Sequence, residues 1–195
     1  MFEYIFKLIL LIKSKLCAFY YPIKIGNKSR LFGSISVDKR ASVVIGENSR
    51  LYGLKVTGKG TITIGNNVEM RDLYVHIGEG ATIVVKDDVF IGKDCKFLIY
   101  KKLIISDRVL ISPEVMIIDN NHVINKKVIK TSGLVCSEIT VGEDSWIGAK
   151  SILGYGSSTE NNVMLGAMSF LNSYAIRDSM YLGVPAKRKK GLNYE

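Results

Sequence analysis

Between Val141 and Phe170 the chain reads in sixes: VGEDSW, IGAKSI, LGYGSS, TENNVM and LGAMSF. Four of these blocks open on an aliphatic residue followed by Gly, and the fifth place holds Ser145, Ser151, Ser157, Val163 and Ser169. A period of six matches neither the 3.6-residue helix nor the two-residue alternation of a free strand. It fits a coil with flat faces, each about six residues wide. The aliphatic residue points inward, while Gly and the small fifth residue serve the corner and the crowded interior beside it. The cadence recurs upstream in IGNKS (25–29), IGENS (45–49), ITIGNNV (62–68), IGEGA (77–81), IGKDC (91–95), ISDRV (105–109) and ISPEV (111–115). Ile25 to Ile45 is 20 residues and Ile45 to Ile64 is 19, three faces of six with a small insertion. The expected fold is all-β, a parallel β-helix of hexapeptide repeats with about seven coils. No repeat buries its own face, so the array folds as one unit.

Such an array needs enough apolar residues for one continuous core, and 47% of the 195 residues are apolar. Lys plus Arg number 27 against 18 Asp plus Glu, a net charge of +9 that favours anionic partners. No arginine-rich helix or aromatic RNA-binding motif accompanies the charge, so nucleic acid is not expected as a partner. Cys17, Cys95 and Cys136 are odd in number and unpatterned, which indicates neither a disulfide framework nor a zinc motif. Cys95 fills a fifth place and reads as a small buried residue in a reducing compartment.

Residues 1–22 precede the cadence as an N-terminal amphipathic helix. Only five uninterrupted apolar residues separate Lys7 from Lys13, too few to span a bilayer. No small-residue cleavage site follows, so a signal peptide is not expected. Two readings of residues 1–21 stand: a helix packed on the first coil or a neighbouring subunit, and an interfacial membrane helix with Lys7, Lys13 and Lys15 on its polar side. Residues 23–185 form the β-helix, and 186–195 a basic C-terminal tail. The cadence breaks once, in a polar and basic excursion over 119–138 that follows ISPEV. Solenoid excursions often carry function.

Three motifs then appear in order. Asp119-Asn-Asn-His122-Val-Ile124 follows an ISPEV coil; Val141-Gly-Glu-Asp-Ser-Trp146-Ile-Gly-Ala149 follows the excursion; Leu182-Gly-Val-Pro-Ala-Lys187 closes the array. With these the chain resembles the hexapeptide-repeat acyltransferases, in particular galactoside-, maltose- and xenobiotic-type acetyltransferases and the O-acetyltransferases of bacterial surface polysaccharides. The resemblance covers roughly residues 25–170 for the repeat, and is most diagnostic from Leu103 to Lys190. It implies a left-handed coil, against the usual crossover preference. It also implies a homotrimer with acetyl-CoA as co-substrate between adjacent prisms, and active sites that take residues from two subunits.

Transfer of an acetyl group to a hydroxyl needs a base near neutral pKa. The chain has two histidines. His122, at the root of the excursion, matches the family's catalytic histidine; His76, beside IGEGA, reads as a coil-surface residue. Asp119 has two readings, a carboxylate holding the imidazole as in a triad and a turn former. Asn120 and Asn121 are weaker candidates for contacts to the acceptor. By the same resemblance Trp146 flanks the pantetheine arm, the Gly148–Ala149 and Gly166–Ala167 pairs offer backbone contacts to it, and Lys187 and Lys190 meet CoA phosphates. The family's Asn before the histidine has no counterpart in CKFLIYKK, and Thr159-Glu160 replaces an aliphatic-Gly start. No metal is expected, since a zinc hydratase on this fold needs three His ligands.

The leading expectation is acetyl transfer from acetyl-CoA to a sugar hydroxyl of a bacterial surface glycan or its precursor, in a ternary complex. The setting would be the cytoplasm, at the inner face of the cytoplasmic membrane if the helix binds lipid. N-acetylation of a nucleotide-linked amino sugar is the alternative, and a non-catalytic solenoid binding module is the alternative of another class.

Overall fold

The computed structural model describes residues 12–124 and 128–192. It is a left-handed parallel β-helix of about eight turns with one helical segment. Inward side chains stack in register from coil to coil. On the first face Ile23, Val43, Ile62, Ile83, Leu103 and Ile139 form one column. On the second, the column is Leu31, Leu51, Met70, Ile91, Ile111, Ile147, Leu165 and Tyr181. On the third it is Val37, Val56, Val75, Phe97, Ile117, Leu153 and Leu171. All of them are buried, and each large side chain so placed stabilises the prism by about 1.5–3 kcal/mol relative to exposure. The expected seven coils become eight because Tyr181 adds a last rung on the second face.

The 18-residue coil appears only after the excursion, and the last rung, Leu165 to Tyr181, shortens to 16. Ile147 to Leu165 is 18 residues, whereas Leu31 to Leu51 is 20 and Met70 to Ile91 is 21. The second-place Gly and the left-handed residue of a hexad occupy different places. Positive φ falls on the fourth position, at Asn48, Asp144, Lys150 and even Met168, a conformation that costs a non-Gly residue about 1 kcal/mol. Gly148, at the second position, has an ordinary φ; a Cβ there would stand 2.5 Å from the Ala167 amide nitrogen of the next coil. It is glycine because two backbones nearly touch.

The fifth-place serines are small, as expected, and Ser29, Ser49, Ser145, Ser151 and Ser169 also bond across coils, whereas the buried Ser157 Oγ has no partner among the described residues. Ser49 Oγ accepts the Val68 amide at 3.0 Å and donates to the Gly65 carbonyl at 2.9 Å. Ser145 and Ser151 treat the Val163 and Ser169 amides in the same way. A corner interrupts the strand ladder, and the hydroxyl satisfies backbone groups that would otherwise be buried unpaired.

Both ends of the prism are closed. Residues 12–20 form a helix over the first coil, where Ser14 Oγ accepts the Leu31 amide at 3.1 Å and Lys13 Nζ donates to the Gly33 carbonyl at 2.7 Å. The packed-helix reading thus describes residues 12–20; residues 1–11 lie outside the described residues. At the other end Lys187–Gly191 pairs antiparallel with Ser179–Leu182. Over these residues the basic tail expected from 186 is an edge strand held by its backbone, with Arg188 Nε donating to Ser179 Oγ at 2.8 Å.

Candidate active site

The excursion leaves the third face of the fifth coil after Met116–Ile118 and returns as Ile139–Val141 on the first face of the sixth. Its root is a two-stranded antiparallel hairpin, with Asn120, Asn121 and His122 opposite Cys136, Val135 and Leu134. His122 is exposed on this hairpin. Residues 125–127 lie outside the described residues, and Ile129–Thr131 is a single 3-10 turn.

Asp119 fixes the hairpin's position, and the structure corrects its catalytic reading. Its side chain is fully buried. Oδ1 accepts the Tyr100 amide at 2.8 Å, and Oδ2 accepts the Lys101 and Lys102 amides at 2.6 and 3.2 Å. Its own carbonyl takes the Ser137 amide at 2.8 Å, pinning the two ends of the excursion together. Among the described residues it makes no hydrogen bond to His122; its carboxylate binds the backbone of the preceding coil, which is neither the triad contact nor a turn of its own.

Beside the hairpin root lies a crevice of about 530 Å³, lined by Asn120, Asn121, Gly154, Tyr155, Phe170 and Asn172 among others. Asn120 and Asn121 face it from the hairpin side, and the sixth and seventh coils supply the opposite wall. Cys136, opposite Asn120 in the hairpin, is half-buried, and burial followed by the Asp119 charge pushes its thiol pKa up. A thiol in that state is a poor acyl carrier.

The remaining candidates lie along the second face and at the corner between it and the third. Trp146 stands on the second face between Leu110 and Met164, 45% exposed, and its indole N–H donates to Ser112 Oγ at 2.9 Å. Gly148 and Gly166 are buried at the following corners of the sixth and seventh coils. Ala149 and Ala167 lie beside them, less covered, and among the described residues their amides donate to no protein acceptor. The chain then turns so that Phe170 donates to the Gly183 carbonyl and Ala186 donates back to Phe170, which starts the exposed Lys187–Gly191 strand from this face. Lys187 and Lys190 are both exposed on it. Free amides on a corner and nearby cations form a donor set suited to an amide-bearing, phosphate-bearing arm.

The two groups do not meet within one chain. His122 sits at one edge of the third face, and Ala149 and Ala167 at the other. From Ala149 to Gly154 the face is five residues wide, roughly 16 Å of extended chain. His76, expected as structural, is half-buried with Nδ1 3.1 Å from Thr57 Oγ1 and its ring against Tyr100.

Glu160 was legible only as an irregularity. Thr159 Oγ1 accepts the Gly142 amide at 2.9 Å, and Glu160 takes the Tyr174 hydroxyl at 2.9 Å and the Arg177 amide at 2.8 Å. Polar contacts thus rebuild the corner that lacks its aliphatic-Gly pair, and no catalytic group is added there.

No protein-family model matches the sequence. The putative lipopolysaccharide biosynthesis O-acetyl transferase WbbJ of Escherichia coli is 30% identical over 166 residues, covering 79% of this chain and 74% of that protein. A probable acetyltransferase of Mycobacterium tuberculosis is 28% identical over 158 residues, 73% of this chain and 52% of that one, so this chain spans about half its length. Among solved structures, the D94A mutant of AntD, an N-acyltransferase from Bacillus cereus, in complex with dTDP and coenzyme A, superposes with a TM-score of 0.63 at 16% identity, over 92% of this chain and 89% of that one. The polysialic acid O-acetyltransferase OatWY gives 0.58 at 16%, over 88% and 89%.

Proposed function

The chain belongs to the hexapeptide-repeat acetyltransferases, and from that premise we propose that it moves an acetyl group from acetyl-CoA to a sugar hydroxyl of a bacterial surface polysaccharide or its precursor. The observation that carries this reading is the hairpin pinned by Asp119: it presents an exposed imidazole at His122, and its Asn120 and Asn121 line a crevice of about 530 Å³ whose lining does not include His122. The acceptor lies in that crevice against Asn120 and Asn121. His122 takes the hydroxyl proton as the oxygen bonds to the thioester carbonyl carbon; the carbon–sulfur bond breaks, and the proton passes to the departing sulfur to give free CoA thiol. Acetyl-CoA supplies the activated acyl group. Ala149 and Ala167 offer amides to its pantetheine arm, Trp146 flanks that arm, and Lys187 and Lys190 meet its phosphates.

The two halves stand on opposite edges of one face, so the reading needs a neighbouring copy; the family resemblance implies that the assembly is a homotrimer, with His122 of one protomer facing the Ala149 corner of its neighbour. The enzyme works in the cytoplasm, where acetyl-CoA and glycan precursors are both present, at the inner face of the membrane.

The test is release of free thiol on incubation with acetyl-CoA and a panel of sugars, glycans and sugar nucleotides. Turnover with hydroxyl acceptors supports the reading. Turnover with amino sugars alone replaces it with N-acetylation, and a protein that neither binds CoA nor turns over contradicts it.

A further inference from the structure

The helix over residues 12–20 is held to the prism by one side only. Ser14 bonds the first coil, Lys13 donates to the Gly33 carbonyl, and Cys17 packs on the core. The other side presents Ile12, Leu16, Phe19 and Tyr20, spaced i, i+4, i+7 and i+8, which is one stripe of a helix. They are 50%, 62%, 92% and 68% exposed. An almost bare phenyl ring in a contiguous apolar stripe marks a surface that is covered in use. The anchoring contacts keep the stripe from folding inward.

The charge around the stripe identifies what covers it. Residues 12–40 contain seven Lys and Arg against Asp38 alone, six of the chain's nine net positive charges. Asp38 is paired with Arg40 at 2.8 Å. Lys15, Lys24 and Lys28 are exposed, and Lys39 Nζ lies 5.9 Å from the Tyr20 ring centroid. Upstream the sequence stays apolar through Phe2, Ile5, Phe6, Leu8 and Leu11. Apolar and aromatic residues ringed by lysines suit the headgroup boundary of an anionic bilayer, where each cation adds about 1 kcal/mol of attraction.

We propose that this helix docks the prism end-on to an anionic phospholipid surface. The inference deepens the proposed function by defining the acceptor's class, and to that extent rests on it. The helix caps the first coil and His122 leaves the fifth, so four strand spacings of about 4.8 Å, roughly 19 Å, lie between the lipid end and the site. A hydroxyl next to a lipid headgroup does not reach that far. A glycan carried on a lipid and extending outward from the membrane does.

Sedimentation with vesicles tests the docking without any acetyl transfer. The protein pellets with phosphatidylcholine vesicles containing phosphatidylglycerol, less with phosphatidylcholine alone, and less as salt rises. Leu16→Ser with Phe19→Ser abolishes pelleting, Lys15→Glu with Lys24→Glu weakens it several-fold, and both double variants keep wild-type thiol release on a soluble acceptor. Trp146, the only tryptophan, is on the sixth coil, so its fluorescence survives on vesicles of brominated lipid. Failure of the wild type to pellet overturns the proposal, as does unchanged pelleting of Leu16→Ser with Phe19→Ser. A lipid-free change of oligomeric state in that variant assigns the stripe to a second copy instead. Quenching of Trp146 overturns the end-on orientation. Pelleting without thiol release on any acceptor leaves the docking standing and removes the proposed function, so the two fail separately.

Discussion

Asp119 Oδ2 accepts the Lys101 amide at 2.6 Å, one coil before the hairpin on which His122 stands. The residue that the motif places three positions before His122 therefore acts on the backbone behind it. It holds the root of the excursion, and through it the position of the imidazole, without touching the ring.

Asp119→Ala leaves the Tyr100, Lys101 and Lys102 amides without their buried acceptor. The expected loss of stability is about 3 kcal/mol, seen as a lower midpoint in urea. At a temperature where the variant stays folded, the pH profile of the reaction keeps the wild-type midpoint. A shifted midpoint would restore Asp119 as a partner of the imidazole.

His122→Ala removes an exposed side chain with no structural bond among the described residues, so the unfolding midpoint stays within error of wild type. Turnover falls by about 10²–10⁴, the usual worth of a general base, while CoA affinity is retained. Calorimetric CoA binding alongside thiol release separates the two effects.

The prism was legible because its period is short and its inward positions are strongly apolar. Ile147, Leu153, Leu165 and Leu171 announce themselves, and their burial follows. The role of Asp119 was not, because its partners lie seventeen to nineteen residues upstream and are backbone groups that any sequence supplies. The last strand was missed for a related reason. Lys187 to Lys190 has no apolar alternation, and what holds it is an antiparallel backbone ladder on Ser179–Leu182. His122 was singled out by its motif, whereas its separation from the Ala149 and Ala167 corners across the third face needed the register.

Gly148→Ala and Gly166→Ala separate two kinds of crowding. A Cβ at Gly148 meets the Ala167 backbone at 2.5 Å, whereas at Gly166 its nearest neighbour is the Leu182 side chain, 1.9 Å away and able to rotate. Gly148→Ala costs about 2 kcal/mol and Gly166→Ala less. Equal losses by thermal unfolding would show that Leu182 is as fixed as backbone.

Glu160 gives a pH signature. The Arg177 amide, the Tyr174 hydroxyl and the Arg177 guanidinium hold its carboxyl below the ordinary Glu value. A carboxyl lowered in the folded state adds stability above its unfolded pKa, and this is lost as pH falls through the folded one. Glu160→Gln therefore destabilises the protein at neutral pH and converges on wild type in acid. Parallel stability curves from neutral pH down into that acid range would contradict it.

The most direct measurement of the shared site is complementation between two inactive chains. His122→Ala is co-expressed with Ala149→Trp, which blocks the corner offered to the cofactor, and assemblies containing both chains are purified on separate tags. If His122 of one protomer serves the Ala149 corner of the next, each mixed assembly regains an intact site and releases thiol, while either variant alone does not. Mixed assemblies as inactive as their parents would contradict a site built between copies.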